Sequence, residues 1–438
     1  MKKRLLLFIC IIITSALALF SCIDSGVKPD ETPENQSQEH PKKGNHNKND
    51  DEDNNEKTFS EGLEFVSFGD GTCTVSGIGS CKDEDIIIPS TSPDGDVVTT
   101  INNNAFHACY NIKSVKLPDK LTIFGYGAFM YCRNLCSITV DENNPYFKSI
   151  DGNLYDVSEE YLIVYAMGKT DTSFKVPDSV TWIVPYAFDG CNNLTHVEVP
   201  DSVICIDQYA FAMCQNLSEI ELKDNLRIIG DGAFFRCESL EGITIPESVT
   251  SLGNYVFEGC KGLLSISIPD SITTIGDYAF NACHALKSVT LSSRLESIGK
   301  SAFYSCIDLE SIVIPDSVTS IGEAAFSLCS SLSYVKLSSG MTAIKIQTFK
   351  NCSSLTTVII PDGVTSIENQ AFHGCSSITD VIISDSVESI GNAAFGGCTN
   401  ITDVYFTGNN EQWTSVNVGT ANEQLTSAEF HYNYAPEE

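Results

Sequence analysis

The chain has 438 residues, 42% of them hydrophobic, and a formal net charge of -31. An acidic excess of that size repels phosphate backbones and anionic headgroups, which excludes nucleic acid as a partner and a polybasic patch as a membrane anchor. No His-Glu-x-x-His, phosphate loop or Gly-x-Ser-x-Gly occurs, so the chain reads as a non-enzyme with no cofactor and no metal site.

Lys2, Lys3 and Arg4 precede an apolar run from Leu5 to Phe20. At about 16 residues the run is shorter than the roughly 20 that a spanning helix needs, so it reads as a targeting segment. It ends in Leu19-Phe20-Ser21-Cys22, which resembles a bacterial lipobox. That resemblance implies a lipoprotein signal peptide over 1–21, Cys22 as a lipidated N-terminus and an extracytoplasmic, membrane-anchored protein at the cell surface. An ordinary signal peptide cleaved nearby is the alternative. Residues 22–58 are rich in Asp, Glu, Asn, Lys and Pro, with almost no large apolar side chain. Such a segment cannot bury a core and is expected to be a disordered tether. Its Asp50-Asp51-Glu52-Asp53 run lacks the spaced ligands of a calcium loop and reads as solvated charge.

From Phe188 to Phe395 a phenylalanine recurs at every 23rd residue, and a cysteine follows each one three residues later. Phe106 with Cys109 and Phe129 with Cys132 are earlier copies, so twelve repeats run over about 98–404. An insertion inside a coil would destroy so strict a step, so each repeat is one coil of a stacked solenoid. Between Phe129 and Phe188 the spacing is 59, one period plus 36, which puts an insertion at about 141–176. Within it, Phe147 to Tyr155 reads as a hairpin closed by Asp151-Gly152.

Val318 to Leu337 serves as the type coil. Comparison of copies places Val318, Ile321, Ala325, Phe326, Cys329, Leu332, Val335 and Leu337 inward. The alternation Val335-Lys336-Leu337 has the period of a strand, and its equivalents in successive coils are expected to pair as a parallel sheet. Val318 to Ile321 reads as a second, shorter extended segment, and Ala325 to Leu328 leaves room for no more than a turn of α or 3-10 helix. Pro-Asp or Pro-Glu often ends the longer strand, as at Pro315-Asp316, because proline stops the ladder and starts the turn. Gly322 has glycine counterparts in several coils, but Val184 and Lys345 share its column, which argues against a compulsory positive φ.

The stacked cysteines read as buried, reduced packing residues. Adjacent coils sit about 4.8 Å apart with parallel side chains, whereas a disulfide wants its Cβ atoms about 3.8 Å apart. A straight column also fails to surround one zinc ion. Cys73 and Cys81 lie outside the column and are a possible disulfide in an oxidising compartment.

The pattern C-x-x-L-x-x-[VI]-x-[IL]-P-[DE]-x-V-x-x-I-x-x-x-A-F resembles the BspA-like, or treponemal, class of leucine-rich repeat. The resemblance implies a right-handed leucine-rich-repeat superhelix, β-rich, with a parallel sheet and short 3-10 or helical turns. Residues 59–97 are similar to the strand-rich N-terminal cap of such proteins, and 405–438 to their C-terminal cap. Members of the class are often bacterial surface proteins, some of them adhesins for host matrix proteins, with no shared ligand or catalytic motif.

On the strands, outward positions change character along the array. His196, Glu198, Glu219 and Glu221 are charged or titratable, and Thr244, Ser267, Ser288 and Thr290 are small. Val313, Tyr334, Ile359, Ile382 and Tyr405 then form an apolar and aromatic series where solvent favours polar groups. Such a series is a candidate protein-binding surface. The bland alternative is β-propensity or cover by the C-terminal cap. The expected function is therefore adhesion or recognition of a protein, such as a host matrix or surface protein. Glycan capture on Tyr334 and Tyr405, or a ligand-free spacer, are the alternatives.

Overall fold

A computed structural model describes residues 58–435. The signal peptide, Cys22 and all but the last residue of the expected tether lie outside the described residues.

All eight inward positions of the type coil are buried, none more than 7% exposed. The same side chains repeat at the 23-residue step, so a continuous apolar core runs from Tyr155 to Leu425. Three faces enclose it, and each face is a hydrogen-bonded ladder.

The first face carries the longer strands. In the type coil this is Tyr334–Lys336, preceded by Ser311–Val313, with exact registers such as Ser311↔Tyr334 and Ile312↔Val335. Pairing is parallel, because every coil travels in the same direction. The second face carries two-residue strands, for example Ser297–Ile298 beside Ser320–Ile321. It sits where the second extended segment is expected.

The third face is the turn around each phenylalanine, and it holds the aromatic column. From Phe188 to Phe395 neighbouring rings stack at 4.6 to 5.6 Å, with planes within 18° of parallel. Backbone N–H groups here also donate to the next coil, as in Tyr186 to Gln208, Phe188 to Ala210 and Gly190 to Ala212. Sustaining that ladder puts the residues two before and two after each phenylalanine into the left-handed region, as at Tyr209 (φ 53°) and Met213 (φ 57°). A non-glycine residue there costs of order 1 kcal/mol. The repeated bonds and ring stacks offset it.

Gly322 has an ordinary φ, in keeping with its column. Glycine is needed there because a Cβ would come within 2.4 Å of the Lys300 backbone nitrogen in the preceding coil. The short ladder breaks between Ser320–Ile321 and Ala343–Ile344, although Val184, Asp207 and Glu368 take the same column in coils whose short strands stay paired. A second break follows Ser251–Leu252. It lies beside the coil in which Gly242 stands at an outward position of the long face and no strand forms.

The segment 141–176 is a modified coil. Phe147–Ile150 and Asn153–Asp156 form an antiparallel hairpin around Asp151-Gly152, whose φ values are both positive (49° and 75°). Tyr161–Val164 then rejoins the short ladder beside Trp182–Ile183. Tyr165 lies 23 residues before Phe188 and occupies the aromatic column, its ring 5.2 Å from that of Phe188. The extra residues therefore lie inside a coil rather than between coils. The hairpin strand divides the interior: Leu154 packs into the N-terminal core and Tyr155 into the main one.

Both ends are covered. Glu64–Ser67 lies antiparallel against Thr72–Gly77 at the N-terminal end. At the other end Glu429–Tyr432 adds to the long ladder beside Asp403–Phe406, and Trp413 packs on Phe406 and Phe430. No helix among the described residues is long and apolar enough to cross a membrane.

Candidate binding face and the cysteine column

The cysteine column does more than fill space. From Cys214 to Cys398 each thiol donates to the carbonyl of the phenylalanine 26 residues earlier: Cys214 to Phe188, Cys237 to Phe211, and so on to Cys398 and Phe372, at 3.0 to 3.2 Å. The same carbonyl accepts the backbone N–H of its own coil's cysteine, as Phe303 does from Cys306. The thiol thus supplies the second bond to an oxygen that burial removes from water. Burial pushes the Cys237, Cys283, Cys306 and Cys352 thiols well above their ordinary pKa, and that of Cys329 to about 12, so these remain donors. All are free thiols, which makes the column structural.

Cys73 and Cys81 are both buried free thiols, with Cys73 Sγ 3.6 Å from the Asp96 carbonyl. Cys205 lies buried in the short ladder between Trp182 and Ile228. Cys136 is exposed at the surface, its Sγ 3.2 Å from the Gly168 carbonyl.

Acidic residues at the turns act as caps between coils. Asp316 Oδ1 accepts from Ser339 N at 3.1 Å and from Ser339 Oγ at 3.0 Å, and Asp270 does the same for Ser293. These bonds hold the Asp316 carboxyl below its usual range, the backbone bond being the largest cause. A second series runs Asp231 to Asn254 N, Asn254 to Asp277 N and Asp277 to Lys300 N, at 2.7 to 2.8 Å.

Outward positions of the long ladder form two columns rather than one. Ser265, Ser288, Ser311 and Tyr334 stand in the first column of one four-stranded sheet and Ser267, Thr290, Val313 and Lys336 in its second; the ladder is interrupted after Tyr334–Lys336, and the next sheet sets Thr357, Asp380, Asp403 and Glu429 in the first and Ile359, Ile382, Tyr405 and His431 in the second. The expected apolar series therefore crosses both between columns and over the break in the ladder, with Tyr334 diagonal to Val313 and Lys336 in register with Val313. Val313, Tyr334 and Ile359 are 54%, 53% and 51% exposed. Ile382 is half-buried. Tyr405 is covered: the rings of His431 and Tyr434 each lie 4.7 Å from its own.

Toward the N-terminal end the same face is charged and internally paired. Lys175 meets Glu198 at 3.1 Å, His196 meets Glu219 at 3.2 Å and Lys223 meets Glu221 at 2.5 Å. Small Ser and Thr side chains separate this charged end from the apolar one. The sequence also missed a third feature at the C-terminal cap. Asp403, Glu429 and His431 bring one ligand atom each within 4.8 Å of one another. The signal was hidden because the cap strand follows the last repeat strand after 26 residues, not 23.

Coils joined by parallel ladders, with a repeated apolar ridge and capped ends, define a leucine-rich-repeat β-solenoid. The chain belongs to the BspA type leucine rich repeat family, whose model matches residues 79–159, 167–287, 252–379 and 325–431. Among solved structures it is similar to a leucine rich cell surface protein from Faecalibacterium prausnitzii, with 27% identity over 82% of this chain and 96% of that one (TM-score 0.48). It is also similar to a leucine-rich repeat protein from Bacteroides ovatus, with 25% identity over 85% and 98% (TM-score 0.46). No curated protein matches the chain.

Proposed function

We propose that the chain is a non-catalytic recognition module, held outside the cell by a lipid on Cys22, that binds another protein through the outward face of its long ladder. The observation that carries this reading is the trio Val313, Tyr334 and Ile359, each more than half exposed, the first two on paired strands and Ile359 on the first strand of the sheet that follows. Coils on the N-terminal side present Ser or Thr at equivalent positions, so strand formation does not require apolar groups there. An apolar centre beside Lys336 and hydroxyl-bearing neighbours has the make-up of a protein interface, in which a desolvated core is rimmed by polar groups. The basic N-terminus, the short apolar run and Cys22 support the extracytoplasmic location.

Stacking of sugar rings is the weaker reading. Tyr405 already packs against His431 and Tyr434. Paired rings on the turn face, such as Tyr255 with Tyr278 at 5.1 Å and 6°, cover each other's faces. The test is binding of the array to a panel of immobilised matrix and surface proteins, alongside a glycan array. A protein ligand whose affinity drops roughly tenfold or more in Tyr334→Ser and Ile359→Ser is expected. Unchanged affinity in both variants, or binding to glycans alone, would overturn the proposal.

A further inference from the structure

The C-terminal cap abandons the repeat step, and in doing so it gathers side chains of metal-ligating type. Asp403 stands on the last repeat strand and pairs in register with Glu429 on the cap strand, while His431 lies two residues further along on the same face. His431 Nε2 is 2.8 Å from Asp403 Oδ1. Two donors sharing a tetrahedral zinc ion, each at about 2.0–2.1 Å, stand roughly 3.3 Å apart. The His–Asp pair therefore has nearly the required separation, and the exposed Glu429 side chain has only to turn inward.

This trio differs from the carboxylates at the turns. Asp270, Asp277 and Asp316 accept backbone N–H groups of the next coil and serve as caps. Asp403 instead faces an imidazole. His431 is also held flat on Tyr405, with centroids 4.7 Å apart and planes at 17°, so its ring is fixed before any ligand arrives. Asp380 is the in-register neighbour of Asp403 one coil back and adds negative field.

We propose that Asp403, Glu429 and His431 form a site for a divalent transition cation of the zinc class, which ties the C-terminal cap strand to the last repeat. One nitrogen and two carboxylate donors suit zinc, whereas calcium and magnesium take oxygen ligands. Solvent completes the coordination. Binding uses the Nε2 lone pair of His431. The site does not rest on the partner-binding reading, and either can fail alone.

The experiment is calorimetric titration of the full chain with zinc chloride, in a Cys136→Ser background that removes the one exposed thiol among the described residues, together with thermal melting. Uptake of one equivalent with a raised melting temperature is expected. His431→Ala is expected to weaken binding roughly tenfold or more, by analogy with the effect of losing even an outer-shell partner. Glu429→Gln, at an exposed position, serves the same purpose should His431→Ala loosen the cap. His196→Ala removes the other His–carboxylate pair on this face and is expected to leave binding unchanged. Absence of uptake, uptake that survives both Glu429→Gln and His431→Ala, or preference for calcium over zinc would overturn the proposal.

Discussion

Replacing Cys329 separates two roles for the buried thiol, space-filling and hydrogen bonding. Its Sγ is fully buried and donates to the Phe303 carbonyl at 3.2 Å, the only second bond that oxygen has beyond Cys306 N at 3.3 Å among the described contacts. Cys329→Ala removes one buried heavy atom, about 0.8 kcal/mol of transfer, and adds a cavity cost of similar size. The lost bond contributes about 0.5–1 kcal/mol more, so the expected loss is roughly 2 kcal/mol. Cys329→Ser retains an O–H donor aimed at the same carbonyl and is expected to lose no more than the alanine variant. Were the thiol only an apolar filler, the serine hydroxyl would be buried without a partner and cost a further 1–3 kcal/mol. Urea unfolding of both variants gives the comparison. Native-state hydrogen exchange at the Phe303 and Phe326 amides localises it, which matters because repeat arrays unfold in sections. A serine variant less stable than the alanine variant by 1 kcal/mol or more would refute the donor role.

Asp189 and two glycines supply further tests. Burial raises the Asp189 carboxyl to about 7, and its Oδ2 has no hydrogen-bond partner among the described residues. A folded pKa above the unfolded one means that stability declines as pH rises from about 4 to 7 and levels off above that window. Asp189→Asn is expected to flatten this decline and to gain stability, up to roughly 4 kcal/mol, at pH 8. Equal pH dependence of the variant and the parent in urea melts would rule this out. Gly322→Ala forces a Cβ to 2.4 Å from the Lys300 nitrogen and is expected to lose about 1–3 kcal/mol. Gly242→Ala meets no atom within 4 Å and is expected to gain about 0.4–1 kcal/mol through the unfolded chain. The opposite order in thermal melts would contradict the close-approach argument.

The fold was legible because phenylalanine and cysteine mark the register directly, and the inward set of the type coil follows from comparing copies. The donor role of the thiol was not legible, since it depends on a carbonyl 26 residues away that only stacking brings near. Tyr165 was hidden for a simpler reason: it keeps the step but changes the residue, and the 36-residue spacing behind it looked like an insertion between coils. The outward series has Val313, Tyr334 and Ile359 exposed, Ile382 half-buried and Tyr405 covered. Its division into two columns follows from the strand period, which sets Tyr334 and Lys336 side by side in sequence spacing but in different columns. Coverage of Tyr405 required the cap strand, whose position the repeat could not supply.

The most direct test of the proposed binding face compares two exposed apolar positions on different faces of the solenoid. Ile359 stands on the long ladder, and Ile204, also exposed, lies just before the short-ladder strand Cys205–Ile206. Affinity for a protein ligand is to be measured in Ile359→Ser and Ile204→Ser, each checked for unchanged melting. Loss of roughly tenfold or more in Ile359→Ser with Ile204→Ser unaffected is the expected result. Loss in Ile204→Ser with Ile359→Ser unaffected would contradict the assignment of the long ladder as the binding face.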